Sequence, residues 1–330
     1  MTQKDGNWKK HLLRTSVPLE HEATRILSQG GFSVSADYSY NRMDGGVEKE
    51  FSVDVHGVTS HEHHCVLDVL VECKYRERGT TWLFLPEPEA RSSGLHEAIQ
   101  AVDLLSPRFV HDRWWASEEA KAPVCYTGVE VGNAAQKPED PTGKNRALES
   151  QLRHGLRQLQ YALPALVAFR AWRAVLHPPD ENFPFFFVPI LLTNAELIVS
   201  RPDFGMLAVE SAETLRDLGS HVPYLVWSAD LGPDFYIHCQ RQLKDLRALA
   251  STENMKAVEE RRAAAGIPTW LQPSDVAQQI IFDGSRTEGV AEFTDVVVVH
   301  IESLAQVIKT INAAFVRMAT SLKDEPLVQW

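Results

Sequence analysis

EFSVDVH (residues 50–56) and VLDVLVECKY (residues 66–75) are the two stretches that decide how this chain is read. In the first, Phe51, Val53 and Val55 alternate with Glu50, Ser52, Asp54 and His56. In the second, Leu67, Val69, Val71, Cys73 and Tyr75 alternate with Asp68, Leu70, Glu72 and Lys74. Successive residues of a strand point to opposite faces, so each stretch predicts a strand with one apolar face and one mostly polar face. Asp54, Glu72 and Lys74 fall on the polar faces. Glu72 and Lys74 are two apart on one strand, which sets them side by side at about 7 Å. Paired as neighbours, the two strands bring all three side chains together.

Upstream, Ser16 and Pro18 read as a helix cap and first turn. Leu19, Ala23, Ile26 and Leu27 follow at helical spacing until Gly30 and Gly31. A strand is expected from Phe32 to Tyr40, with a turn at Asp44, Gly45 and Gly46. Downstream, residues 79–147 have a weak pattern, and read as an insertion with one short strand at Cys125–Val131. A helix starts near Leu148 and continues through Leu152, Leu156, Leu159 and Leu163, with a kink expected at Pro164. Strands are expected at Phe183–Leu192, Glu196–Ser200, Tyr224–Ser228 and Val296–Ile301. A polar helix is expected from Arg241 to Gly266, and a last helix begins at Ser303. No internal repeat is visible. Intermixed strands and helices give an α/β or α+β class.

The inventory on the polar faces suits phosphodiester hydrolysis. That reaction needs a divalent cation to activate water and offset charge on the phosphate oxygens. Magnesium takes hard oxygen ligands, usually one or two carboxylates plus water and phosphate. A nearby ammonium orients the water or stabilises the transition state.

The order of these features resembles the PD-(D/E)XK, restriction-endonuclease-like superfamily. The resemblance rests on Leu19-Glu20 in the helix, Gly31-Phe32, Val53-Asp54-Val55, and the run from Leu70 to Lys74 with its Glu-x-Lys ending. Gln158-Leu159 and the strand Val188–Leu192 continue it over roughly the first 200 residues, the insertion excepted. It implies an α/β fold, a restriction-endonuclease-like core of a mixed central sheet flanked by helices, with a C-terminal α/β extension over 201–330. It implies Asp54 and Glu72 as ligands of Mg2+ or Mn2+, Lys74 as the catalytic cation and Glu20 as an auxiliary acid, with Glu22 as its rival. Gln158 is an auxiliary candidate; the family's Gln-x-x-x-Tyr spacing is one residue short here, at Gln158 and Tyr161. The proline that names the motif is missing before Asp54. The implied activity is a nuclease, with DNA favoured over RNA, in restriction, repair or phage defence. The alternative is a degenerate nuclease-fold module for nucleic-acid binding or assembly.

Other signals are read more plainly. The chain has 330 residues, 44% hydrophobic and 23% charged, with a net charge of −11, which argues against coating nucleic acid through overall charge. A local basic region remains: from 144 to 173, Lys144, Arg146, Arg153, Arg157, Arg170 and Arg173 stand against a single acid, Glu149. Arg153 and Arg157 are the nucleic-acid-binding candidates. His61, Glu62, His63 and His64 lack the His-Glu-x-x-His spacing and read as a polar hairpin tip; a zinc hydrolase built on them is the third reading. Asp68 is expected to start its strand, His300 and Glu302 to be structural, and Trp114-Trp115 to pack in a core or against a partner. Four separated cysteines and a polar start point to a reducing cytoplasm with no secretory signal. The longest apolar run, 183–192, holds two prolines and is too short to span a membrane. A homodimer or a partner protein on the C-terminal extension is also expected.

Overall fold

The computed structural model describes residues 7–61, 65–87, 99–102, 122–131, 151–176, 185–228, 232–243, 252–264 and 295–321. The expectations for Trp114-Trp115, Lys144, Arg146 and residues 62–64 lie outside them.

Helices α1 (Asn7–Arg14) and α2 (Val17–Gln29) lead into a long hairpin, β1 (Ser33–Asp44) and β2 (Val47–His61). Gly45 and Gly46, at φ 59 and 83, make its turn in the left-handed region that glycine tolerates. Strand β3 (Cys65–Lys74) follows, then β4 (Thr81–Pro86), β5 (Gln100–Val102) and β6 (Val124–Val131). Helix α3 (Gln151–Leu176) precedes β7 (Phe185–Thr193) and β8 (Glu196–Ser200). The remainder supplies α4 (Met206–Ser211), β9 (Gly219–His221), β10 (Tyr224–Trp227), α5 (Pro233–Leu243), α6 (Thr252–Ala264), β11 (Val296–His300) and α7 (Leu304–Ser321).

The eleven strands among the described residues form one mixed sheet in the order β1-β2-β3-β7-β11-β10-β6-β4-β8-β9, with β5 beside β7. The α/β class holds. β3 is parallel to β7 and β7 to β11, whereas β2 is antiparallel to β3. β5 and β11 share the far edge of β7, at Phe185–Phe187 and Ile190–Thr193 respectively. Helix α3 covers one face through Leu152, Leu156, Leu159, Leu163 and Leu166 against Leu70, Phe187 and Leu191. Helices α2 and α7 cover the other, where Leu27, Ile308 and Phe315 meet Val69, Val71, Ile190 and Val299. Each such side chain, fully buried, contributes roughly 1.5–3 kcal/mol.

Several expectations are corrected. The stretch 79–147 holds more than the one strand expected, found as β6: β4 also belongs to the sheet, and Trp82 and Phe84 are wholly buried. The C-terminal segment likewise enters the sheet, with β11 and β10 between β7 and β6, so the sheet shows no break near residue 200. Strand β3 lacks an exposed polar face, since every residue from Cys65 to Cys73 is buried between the two helical layers. Asp68 sits inside the strand rather than at its start. Helix α3 extends past Pro164, on to Leu176. Of the expected polar helix, Arg241–Leu243 fall in α5 and Thr252–Ala264 in α6, and residues 244–251 lie outside the described ones. Ser16 makes no side-chain cap: at φ 62 its hydroxyl turns to the exit of β3, where the Tyr75 N–H donates to it at 3.4 Å. Among the described residues no helix is long and apolar enough to cross a membrane.

Candidate functional site

The β2–β3 ladder stops short at the candidate site. Paired residues run from His61 opposite Cys65 to Val55 opposite Val71 and go no further. One step beyond, the Asp54 side chain replaces the ladder, its Oδ2 accepting from the Cys73 N–H at 2.7 Å. The β1–β2 pairing is disturbed at the same level. Ala36 faces Val55 and Tyr38 faces Val53, while the intervening Asp37 and Asp54 are not paired, and Asp37 lies at φ 57. Across this point the strand changes sides: Val55 packs with the α2/α7 layer and Val53 with the α3 layer. The strict alternation expected for 50–56 therefore breaks at Asp54. β3 ends at Lys74, while β2 continues past Asp54 to Val47 in its pairing with β1.

Glu72 and Lys74 lie on the α3 side of β3. The Lys74 ammonium donates to Glu72 Oε1 and, at 3.0 Å, to Gln158 Oε1 on α3. Gln158 is held in turn: its Nε2 donates to the Ser52 carbonyl at 3.1 Å, and the Tyr40 hydroxyl donates to its backbone carbonyl at 3.0 Å. Helix α3 comes close enough because residue 155 is glycine. A Cβ there would sit 2.6 Å from Leu191 Cδ1 and 3.1 Å from Lys74 Cε. Sequence reasoning missed Gly155, Ser52, Tyr40 and Asp37. A glycine inside a strong helical stripe was the one available signal, since it marks a close approach or a bend.

Glu72 is the most perturbed carboxyl of the group. Burial pushes it up to about 8; the Lys74 charge opposes this and the Asp54 charge adds to it. One oxygen is occupied by Lys74, but Glu72 Oε2 is buried with no hydrogen-bond partner among the described residues. A buried acceptor left unmatched costs about 1–3 kcal/mol, so such an atom calls for a reason. Asp54 is also raised, first by burial, with the Cys73 N–H and Lys74 opposing. Glu20, half-buried on α2, is raised by burial and then by the charges of Asp54 and Asp37. Its rival Glu22 is exposed and lies 3.9 Å from Arg25, so Glu20 is the acid that senses the cluster.

The donor set suits a hard divalent cation. Two carboxylates, one with an unmatched buried oxygen, fit an ion that takes one or two carboxylates and completes its shell with water and phosphate. Among the described residues no three His, Cys, Asp or Glu side chains gather tightly enough to form an all-protein metal cage.

The remaining candidates fall elsewhere. Arg153 and Arg157 are exposed on α3. Arg170, counted in the basic region, is instead buried: its Nε and Nη2 donate to the two Asp68 oxygens at 2.7 Å each. His56 Nε2 joins the same carboxylate at 2.6 Å. Asp68 is therefore a structural anchor. Burial works to raise it, but the hydrogen bonds and charges of His56 and Arg170 outweigh that and hold it below the usual carboxylate range. Tyr161 packs edge-on against Phe235 and lies 4.1 Å from the Arg42 guanidinium. His61 packs against Phe315. All four cysteines are buried, and among the described residues no disulfide joins them.

No family model, curated protein or solved structure matches this chain.

Proposed function

We propose that the chain is a divalent-cation-dependent nuclease, its sheet and flanking helices forming a restriction-endonuclease-like core. The observation that carries this reading is the fixed ammonium of Lys74 beside Glu72, whose second oxygen is buried and unmatched among the described residues, where the β2–β3 pairing stops and Asp54 is anchored. Asp54 and Glu72 would hold Mg2+ or Mn2+. When bound, the cation supplies an activated water and offsets charge on the scissile phosphate. Lys74, oriented by Glu72 and Gln158, directs a positive charge at the place where negative charge develops, and orienting it in advance avoids reorganisation during the reaction. Glu20 stands behind Asp54 as a reserve acceptor. DNA is the favoured substrate over RNA, and phage defence or restriction is the favoured setting; both follow from the family resemblance.

The test is a cleavage screen over single- and double-stranded DNA and RNA with Mg2+ or Mn2+. Wild type should cut at least one of them, and Lys74→Ala should slow cutting by about 10²–10³, the size of a lost transition-state donor. The variant should still unfold cooperatively, at a somewhat lower midpoint because Glu72 and Gln158 lose their donor. Equal rates for the two proteins, or no cleavage of any substrate, removes the enzyme reading and leaves a nuclease-fold binding module.

A further inference from the structure

Helix α1 precedes every element that the candidate site uses, and Trp8 to Arg14 are all exposed. Trp8 is 57% exposed, a large aromatic surface left in solvent. Its helix carries Lys9, Lys10 and Arg14 and no acid. The exit of β3 adds Arg78 and Arg76, the latter ion-paired with Glu130, so residues 7–14 and 75–78 hold five Lys/Arg against one acid of their own, Glu77, in a chain of net charge −11. This basic spot is tied to the catalytic strand. Arg14 donates twice to Glu77 Oε1, at 3.2 and 2.5 Å, and Lys10 lies 3.7 Å from the same oxygen. The turn after α1 is fastened by Ser16 to the backbone of Tyr75, the residue next to Lys74. Arg76 is clamped through its backbone by Asn194, whose side chain accepts from Arg76 N–H at 2.6 Å and donates to its carbonyl at 2.8 Å.

We infer that α1 and the β3 exit form a docking platform for a single-stranded stretch of nucleic acid adjoining the cleavage position. Trp8 is the stacking surface for an unpaired base, and the cations track the phosphates. The inference rests on the nuclease reading of the Lys74 site. Its physical basis is the pairing of an exposed π-face with clustered cations, the combination by which proteins hold single strands without reading sequence. An anionic membrane would attract the same charge. An eight-residue helix is only about 12 Å long, however, and Lys10 and Arg14 turn toward Glu77 at the strand exit rather than along an interface.

The experiment is fluorescence anisotropy with short single-stranded and duplex oligonucleotides, the full chain and EDTA to prevent cutting. Wild type should prefer the single strand. Trp8→Ala should weaken that binding about tenfold, the scale of one lost base stack, with little change for duplex. Lys9→Gln with Lys10→Gln should lower the log–log salt slope by about 1.4, or about 0.7 per phosphate. No binding by wild type, equal binding of duplex, or unchanged affinity in the α1 variants overturns the platform. So does a loss confined to vesicles of anionic lipid. Loss of oligonucleotide binding in the α1 variants of a chain that never cuts upholds the platform and defeats the catalytic reading alone.

Discussion

Asp68 and Glu72 lie four residues apart on one face of β3, both buried, and removing their charges should change stability in opposite directions. Asp68 accepts three hydrogen bonds from His56 and Arg170 and is held below the usual carboxylate range, so its ionised form stabilises the fold. Asp68→Asn leaves a buried guanidinium without its carboxylate, a loss of about 3–5 kcal/mol. Because the folded value is depressed, this contribution is complete above the unfolded carboxylate range and fades as the pH falls through the folded value. Glu72 is the reverse case. Its folded value is raised from 4.5 to about 8, so the folded chain holds a proton that the unfolded chain releases. Stability then declines as pH rises from 4.5 to about 8, by about 1.4 kcal/mol per unit of difference at most. Glu72→Gln keeps an oxygen for Lys74 and escapes that penalty. It should unfold near wild type at pH 5 and be more stable by a few kcal/mol at pH 9. Urea unfolding in EDTA at pH 5, 7 and 9 measures both variants. An Asp68→Asn loss below about 1 kcal/mol, or a Glu72→Gln difference that does not grow with pH, would refute the reasoning.

Two further predictions concern the site. Gly155→Ala gains up to about 1 kcal/mol of helix propensity but drives a methyl group into Leu191 and the Lys74 stem; stability should change little while any cleavage rate falls about 10², as expected for an ångström-scale displacement. A stabilised and fully active Ala variant would show that α3 does not set Lys74. Mn2+ should raise the thermal midpoint of the wild type, and Asp54→Asn should abolish that rise without preventing folding; an equal rise in both would remove Asp54 from the cation site.

The positions of the core strands were legible because burial imposes a period. Glu196–Ser200 is found with the same bounds, β11 ends one residue early, and β3 is shifted by one residue. The α2 stripe of Leu19, Ala23, Ile26 and Leu27 is the buried face of that helix. The strand expected at Cys125–Val131 is β6, one residue longer, whereas β4 was hidden because its partners, β6 and β8, lie far along the chain and its own pattern is short.

What the sequence alone determines here is the chemistry available and its periodicity: an Asp on one strand, a Glu-x-Lys on the next, and apolar faces for two helical layers. Only the tertiary structure decides what each charge is for. Asp68 and Glu72 have the same strand, face and charge, yet α3 brings Arg170 to the first and Gln158 to the partner of the second. A strand's period fixes direction, whereas hydrogen-bond partners and desolvation come from elements about a hundred residues away, which no local pattern encodes.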